Sequence, residues 1–352
     1  VLPVLTAIGS MACVVALGWV IQRTGLLAGR GLPRGIARDG AGDGGAGDGG
    51  AGARQTLATL SFTICAPALM FSTLASTDLA HVLSRGAAVT WATTAVLGLA
   101  TAAAARWLLR LPAGPAAVTT LAAVYVNGGN IGIPLAVYLF DDALAVVPTL
   151  LFQLLVLAPL TLSVLDRATA SADGGTPARS GWRSMGQVFL AAFRNPITLG
   201  TVAGLLVAVV AELTGARLPD VVLLPFDLIG AAAPPLGLLT FGMTLAVPMP
   251  AADADLGVTA GRGRRLVGWV ITIAVLVRNL LHPLAAWALG SAVGLDAPAL
   301  ALVVTMAALP TAVNVTTYAT RYGVFDGVAA RATVWTTALC VPVLVVIGAL
   351  LV

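Results

Sequence analysis

Lysine is absent from this 352-residue chain, and all 19 of its basic side chains are arginines, a compositional bias and not a functional signal. Charge of either sign is scarce: 10% of residues are charged against 59% hydrophobic, and the mean hydropathy is +0.97. No soluble globular domain has that balance, whereas a polytopic helical membrane protein does. The formal charge of +4 therefore argues for no nucleic-acid partner, because the arginines sit in loops beside apolar runs, where they set orientation. Cysteine is equally thin. Cys13, Cys65 and Cys340 all fall in apolar runs without metal-ligand spacing, so they read as packing residues, with no disulfide framework and no metal. There is no phosphate-binding Lys-Ser/Thr loop, which excludes ATP as the direct energy source. Paired acids, histidine clusters and Ser/His arrangements are also missing from the apolar runs, which leaves an intramembrane enzyme without machinery.

What the chain has instead is a succession of apolar runs. Ten of them, at about residues 2–21, 57–74, 86–107, 116–140, 144–165, 196–211, 221–247, 266–289, 298–318 and 329–352, predict an all-α integral membrane protein of ten transmembrane helices. No positive charge precedes the first run and Arg23 follows it, the reverse of a cleaved signal peptide, so a retained helix is expected. Residues 28–54 form a glycine-rich, low-complexity insertion with the composition of a flexible linker. A polar connection at 166–194 separates a first half, 1–165, from a second, 195–352, each with five spans. Five is odd, so the second half must enter the bilayer with opposite orientation, as an inverted repeat. Of the 19 arginines, 16 lie in alternate loops, which places those loops in the cytoplasm and both termini outside.

Two spans carry residues that a membrane helix tolerates poorly. The fourth contains NGGNIGIP at Asn127–Pro134, and the ninth contains LPTAVN at Leu309–Asn314. Proline removes a backbone donor, glycine costs ~1 kcal/mol against alanine in a helix, and backbone freed at membrane depth must be satisfied by protein or cavity. Interruptions at matching positions in two halves point to a transporter's substrate site. Half-helix N-termini there offer free N–H groups and the positive end of a dipole, to which a carboxylate binds without a full charge nearby. The candidate substrate-binding residues are Asn127, Gly129, Asn130 and Pro134 in the first break and Pro310, Thr311 and Asn314 in the second. The competing reading makes the asparagines mere caps of the broken ends, and the prolines suit shaping the break better than touching ligand.

Arg278 joins this set because it is expected near mid-membrane, where arginine is expensive and functional by default. It reads either as a counter-charge to substrate or a gate, or as half of a structural ion pair; Asp227, the only acid expected inside a span, is the candidate other half, with interfacial exposure its equal alternative. His282 and Gln153 are weaker candidates, and Tyr138 and Tyr318 read as packing residues. Asp141, Asp142 and Asp326 precede helices and read as N-caps.

The residues at Asn127–Pro134, the Arg194–Pro196 triplet, LLHPLAAW at Leu280–Trp287, and LPTAVN followed by RYG at Leu309–Gly323 together resemble the auxin efflux carrier family. The resemblance runs over all ten spans and fails only at the glycine-rich insertion. It implies a fold similar to bile-acid and sodium/proton transporters, with spans 4 and 9 crossing in a mobile transport domain and spans 1, 2, 6 and 7 as scaffold. It also implies small organic anions as substrates. The expectation is thus a secondary transporter of carboxylates in the plasma membrane, working by alternating access. Its partners are the anion and the lipid bilayer, and a homodimer is compatible. No cofactor is expected, and coupling to H+ or Na+ stays open. The rival is a channel-like or sensor protein on the same fold without a transport cycle.

Overall fold

The structure is a computed structural model and describes residues 2–27, 49–77, 84–172, 196–247 and 262–351. The glycine-rich stretch through residue 48 and most of the polar connection lie outside the described residues. Among the described residues every extended element is helical, and seven helices are long and apolar enough to cross a membrane. These are Gly52–Ala75, Arg85–Leu108, Ala143–Thr169, Pro196–Thr214, Asp220–Leu245, Arg265–Ala292 and Asp326–Leu351. Ala113–Val124, Gly128–Phe140 and Ala297–Ala307 are shorter apolar helices, and Leu2–Thr24 is a further helix of 23 residues.

In chain order the α-helical pieces are α1 (Leu2–Thr24), α2 (Gly49–Leu60), α3 (Ala66–Ala75), α4 (Arg85–Ala103), α5 (Ala113–Val124), α6 (Ile133–Phe140), α7 (Val147–Phe152) and α8 (Ala158–Ala172). The second half contains α9 (Pro196–Thr214), α10 (Asp220–Gly230), α11 (Ala233–Leu245), α12 (Arg262–Leu276), α13 (His282–Ala292), α14 (Ala297–Ala307), α15 (Val313–Tyr322) and α16 (Asp326–Leu351). Two expected boundaries move. The end of the glycine-rich segment is already helical from Gly49, and α8 runs on to Ala172, into the stretch assigned to the connection. The seventh run is not one helix, because a turn at residues 231–232 separates α10 from α11 just before Pro234 and Pro235.

Wide π turns recur, and most have one cause. Ser61–Cys65, Gly128–Gly132, Gln153–Leu157 and Val277–Leu281 are π-helical, and each is followed, two residues on, by a proline: Pro67, Pro134, Pro159 and Pro283. A proline in a helix has no N–H to give and its ring collides with the carbonyl one turn back. Widening that turn moves the carbonyl aside, and the residue before each proline bonds five residues back, as in Ala66 N–H to the Ser61 carbonyl. The chain thus bends without losing the helix.

Glycine sets the closest helix contacts. On α1 and α11, a Cβ at Gly18 would collide with the Leu239 carbonyl and one at Gly242 with the Val15 carbonyl. Between α9 and α3, Gly200 sits on the Pro67 carbonyl, and a Cβ at Gly204 would lie 2.7 Å from that of Phe71. Lipid offers no hydrophobic drive for helix association, so small residues that let backbones approach are the means available. Asp141 is a correction: it closes α6 in the left-handed conformation, at φ 51°, and is no N-cap. Asp142 does cap, accepting the Leu144 N–H at 2.8 Å, while Asp326 is the first residue of α16.

Candidate functional site

The two interruptions meet. Helix α5 ends at Val124 and winding resumes at Gly128, while α14 ends at Ala307 and α15 begins at Val313. In between, Val126 and Thr311 pair as an antiparallel bridge. Asn127 N–H donates to the Pro310 carbonyl at 2.8 Å, and Ala312 N–H donates to the Tyr125 carbonyl at 3.0 Å. Backbone freed in each break is therefore satisfied by the other, which is what a lipid-surrounded interruption requires.

Two side chains complete the arrangement, one for each break. Gln153 Oε1 accepts the Val126 N–H at 3.1 Å, and Thr336 Oγ1 accepts the Thr311 N–H at the same distance. Thr311 is fully buried and its hydroxyl donates to the Ala122 carbonyl at 2.6 Å, so it serves the bridge. Pro310 contributes its carbonyl, and Pro134 is buried at the second position of α6.

The asparagines separate into two kinds. Asn127 is an N-cap: its Oδ1 accepts the Asn130 N–H at 3.3 Å and its carbonyl accepts from Ile131 and Gly132 at 3.1 and 3.0 Å. Its Nδ2 is buried with no hydrogen-bond partner. Asn130 and Asn314 are half-buried and cap nothing. Asn314 is the second residue of α15, whose N-cap position is Ala312, with no side chain to accept from the first turn. Gly129 is half-buried beside Asn130, and Gly237 of α11 lies close over the Asn130 backbone, where an added Cβ would sit 3.3 Å from its carbonyl oxygen. The structure thus brings Asn127, Gly129, Asn130, Pro310, Thr311 and Asn314 to the paired breaks, where the Asn127 Nδ2 is without a partner and the start of α15 has no side-chain cap. Tyr138 is exposed, whereas Tyr318 stands edge-on to Tyr125 with ring centroids 6.2 Å apart.

Arg278 meets the second break where α14 ends. It lies in the π turn between α12 and α13 at 0% exposure, and its Nη2 donates to the Ala307 carbonyl at the C-terminal end of α14 and to His282 Nδ1. A cation at a helix C-terminus is favoured by the dipole. With Nδ1 accepting, His282 carries its proton on Nε2, which faces Thr94 Oγ1 at 3.2 Å, and that hydroxyl donates to the Thr90 carbonyl at 2.7 Å. Of the two readings of Asp227, exposure holds and the ion pair does not: Asp227 is exposed on α10, and among the described residues no carboxylate bonds Arg278. Next to it, Asn279 Nδ2 donates to the Thr336 carbonyl at 2.9 Å, tying the same turn to α16. Sequence reasoning missed Asn279 and Thr336 and underrated Gln153.

Beside the breaks lies a cavity of about 630 Å³ between α1, α11 and α16. Ile131, Leu135 and Pro310 form its inner wall, and Val15, Phe241 and Leu344 stand among the residues facing them. The cavity is apolar, while the hydrogen-bonding groups cluster at the breaks.

A family model described as membrane transport protein matches residues 51–348, and no curated protein matches the chain.

Proposed function

The chain belongs to the membrane transport protein family, that of the auxin efflux carriers, and from that premise we propose that it is a secondary transporter of small organic anions that works by alternating access. The observation that carries the reading is the backbone pairing of Val126 with Thr311, which joins two interrupted spans and leaves Asn130 and Asn314 at adjacent half-helix starts. A carboxylate there would accept from amide side chains and from N–H groups at positive dipole ends. The 630 Å³ cavity, within the range of small-molecule pockets, would take its organic part.

The finer architecture belongs to the same reading. Joined across their π turns and breaks, the helices group into ten spans, with α5–α6 as the fourth and α14–α15 as the ninth. Two correspondences between the halves support an inverted repeat. The span after each break supplies the acceptor for its bridge N–H, Gln153 in one half and Thr336 in the other. Glycine contacts seat α1 on α11 and α9 on α3, so the first span of each half packs on the second span of the other. Those four spans would form the scaffold, and the spans carrying the breaks the moving body. The arginine distribution orients the whole in the plasma membrane with both termini outside.

The test is counterflow in proteoliposomes loaded with a panel of carboxylates: acetate, butyrate, benzoate and phenylacetate, with malonate and succinate as dianions. A carrier exchanges labelled for unlabelled anion with saturation. Flux that neither saturates nor shows counterflow would make the protein a channel, and no flux with any member would remove the carboxylate assignment.

A further inference from the structure

Among the described residues, Arg278 is the one ionised side chain that is buried, and it is buried completely. Guanidinium does not give up its proton in proteins, so the charge is permanent. No carboxylate answers it: the partners are a carbonyl and a neutral imidazole, and its Nε and Nη1 have no partner at all. A buried charge is ordinarily paired, and leaving one uncompensated is costly. The dipole end of α14 offsets about half a charge. The remainder acts through a low-dielectric interior, where a charge is felt much farther than in water.

Its attachments say which body it belongs to. Arg278 is bonded to Ala307, four residues before Thr311, and through His282 and Thr94 to α4. The next residue, Asn279, is bonded to α16, which also holds Thr311 through Thr336. None of these bonds reaches α1, α3, α9 or α11. The positive charge is fixed to the pair of breaks.

We propose that Arg278 is a resident counter-charge that moves with the substrate, so that the protein carries a monocarboxylate as an electrically neutral complex. This rests on the transport reading above. Loaded with a monoanion, the body bearing the breaks has no net charge from these two groups; loaded with a dicarboxylate it has one negative charge, and empty it has one positive charge. Exchange of a monocarboxylate, in which only the loaded form crosses, is therefore indifferent to membrane potential. Exchange of a dicarboxylate is not. Monocarboxylates are the favoured class, because among the described residues no second buried cation stands ready for a second negative charge.

The experiment measures counterflow at zero potential and at about 100 mV of either sign, using the fastest monocarboxylate and the fastest dicarboxylate of the panel. One net charge crossing about 100 mV shifts the distribution of the loaded form roughly 50-fold. Wild-type monocarboxylate exchange should change by less than about 1.5-fold, while dicarboxylate exchange, if carried, should slow severalfold at one sign or the other. Arg278→Gln should give monocarboxylate exchange the same severalfold dependence, and Arg278→Lys, which keeps the charge, should stay flat even if slower. If Arg278→Gln does not insert, the mono- against dicarboxylate comparison on wild type and the lysine variant decide. Strong voltage dependence of wild-type monocarboxylate exchange, or flat dicarboxylate exchange, overturns the inference while leaving the carrier intact. Absence of exchange for every carboxylate removes the transport reading first, and the inference with it.

Discussion

Replacing Asn130 or Asn314 with alanine should weaken carboxylate binding without unfolding the protein, whereas the same change at Asn127 should show first as lost stability. Asn127 Oδ1 accepts the Asn130 N–H, so Asn127→Ala loses a helix cap, about 1 kcal/mol of stability, and Asn127→Asp, which keeps an acceptor, restores it. Asn130 and Asn314 cap nothing, so their removal leaves the backbone bonds of the bridge in place. Under the transport reading each supplies a donor to a charged ligand in a desolvated site. Losing it costs about 1–3 kcal/mol, or roughly 5–150-fold in affinity. Aspartate at either position should be worse than alanine, since it sets a like charge beside the carboxylate. The assay is thermal shift of purified protein with the best carboxylate of the panel, because a ligand at 100 times its Kd stabilises by about 2.7 kcal/mol. Monodispersity in detergent checks the fold of each variant. If Asp binds as well as wild type at both 130 and 314, the amides do not meet the carboxylate and the site assignment is wrong.

Three further expectations follow from the packing. Thr336→Val keeps the shape of a fully buried side chain but leaves the Thr311 N–H without its acceptor, a loss of about 1–3 kcal/mol that thermal melting without ligand should read. Gly242→Ala forces α1 and α11 apart and should cost at least 1–3 kcal/mol of stability, while Gly268→Ala, with nothing near its added Cβ, should be neutral or slightly stabilising; equal melting of the two variants would refute the close-approach argument. Reporter fusions at the C-terminus should report an extracytoplasmic end, from the 16 arginines in alternate loops; a cytoplasmic reporter signal would refute the orientation and the odd-numbered repeat together.

The breaks were legible in the sequence because asparagine, glycine and proline are conspicuous in an apolar run. Their mutual bridge was not, since nothing local records which carbonyl an unwound N–H will find. Thr336 shows why. Its hydroxyl bonds back to the Ala332 carbonyl as Thr93, Thr201 and Thr240 do to theirs, and only its spare acceptor, aimed at Thr311, sets it apart. The π turns were half legible. Prolines mark four of them, but a proline in a helical pattern predicts only a disturbance one turn back, and a kink satisfies that as well as a widened turn. The ion-pair alternative for Arg278 fails because Asp227 stays exposed on α10 while the guanidinium is buried on the Ala307 carbonyl, a choice that composition cannot show.

That last failure points to what distinguishes the two breaks. In backbone they are alike, each donating one N–H across the bridge and each held by a polar side chain from the following span. In charge they are not. The first is held by neutral groups alone, Gln153 and the amide of Asn127, while the second has a guanidinium on the last carbonyl of α14. A structural cap for that carbonyl needs only one donor, and a neutral side chain such as asparagine would supply it without the cost of burying a charge. An arginine there, with two donor positions unbonded and no acid bonded to it among the described residues, is expensive as architecture. It becomes intelligible if the charge is answered for part of the cycle by the anion itself, bound at the bridge.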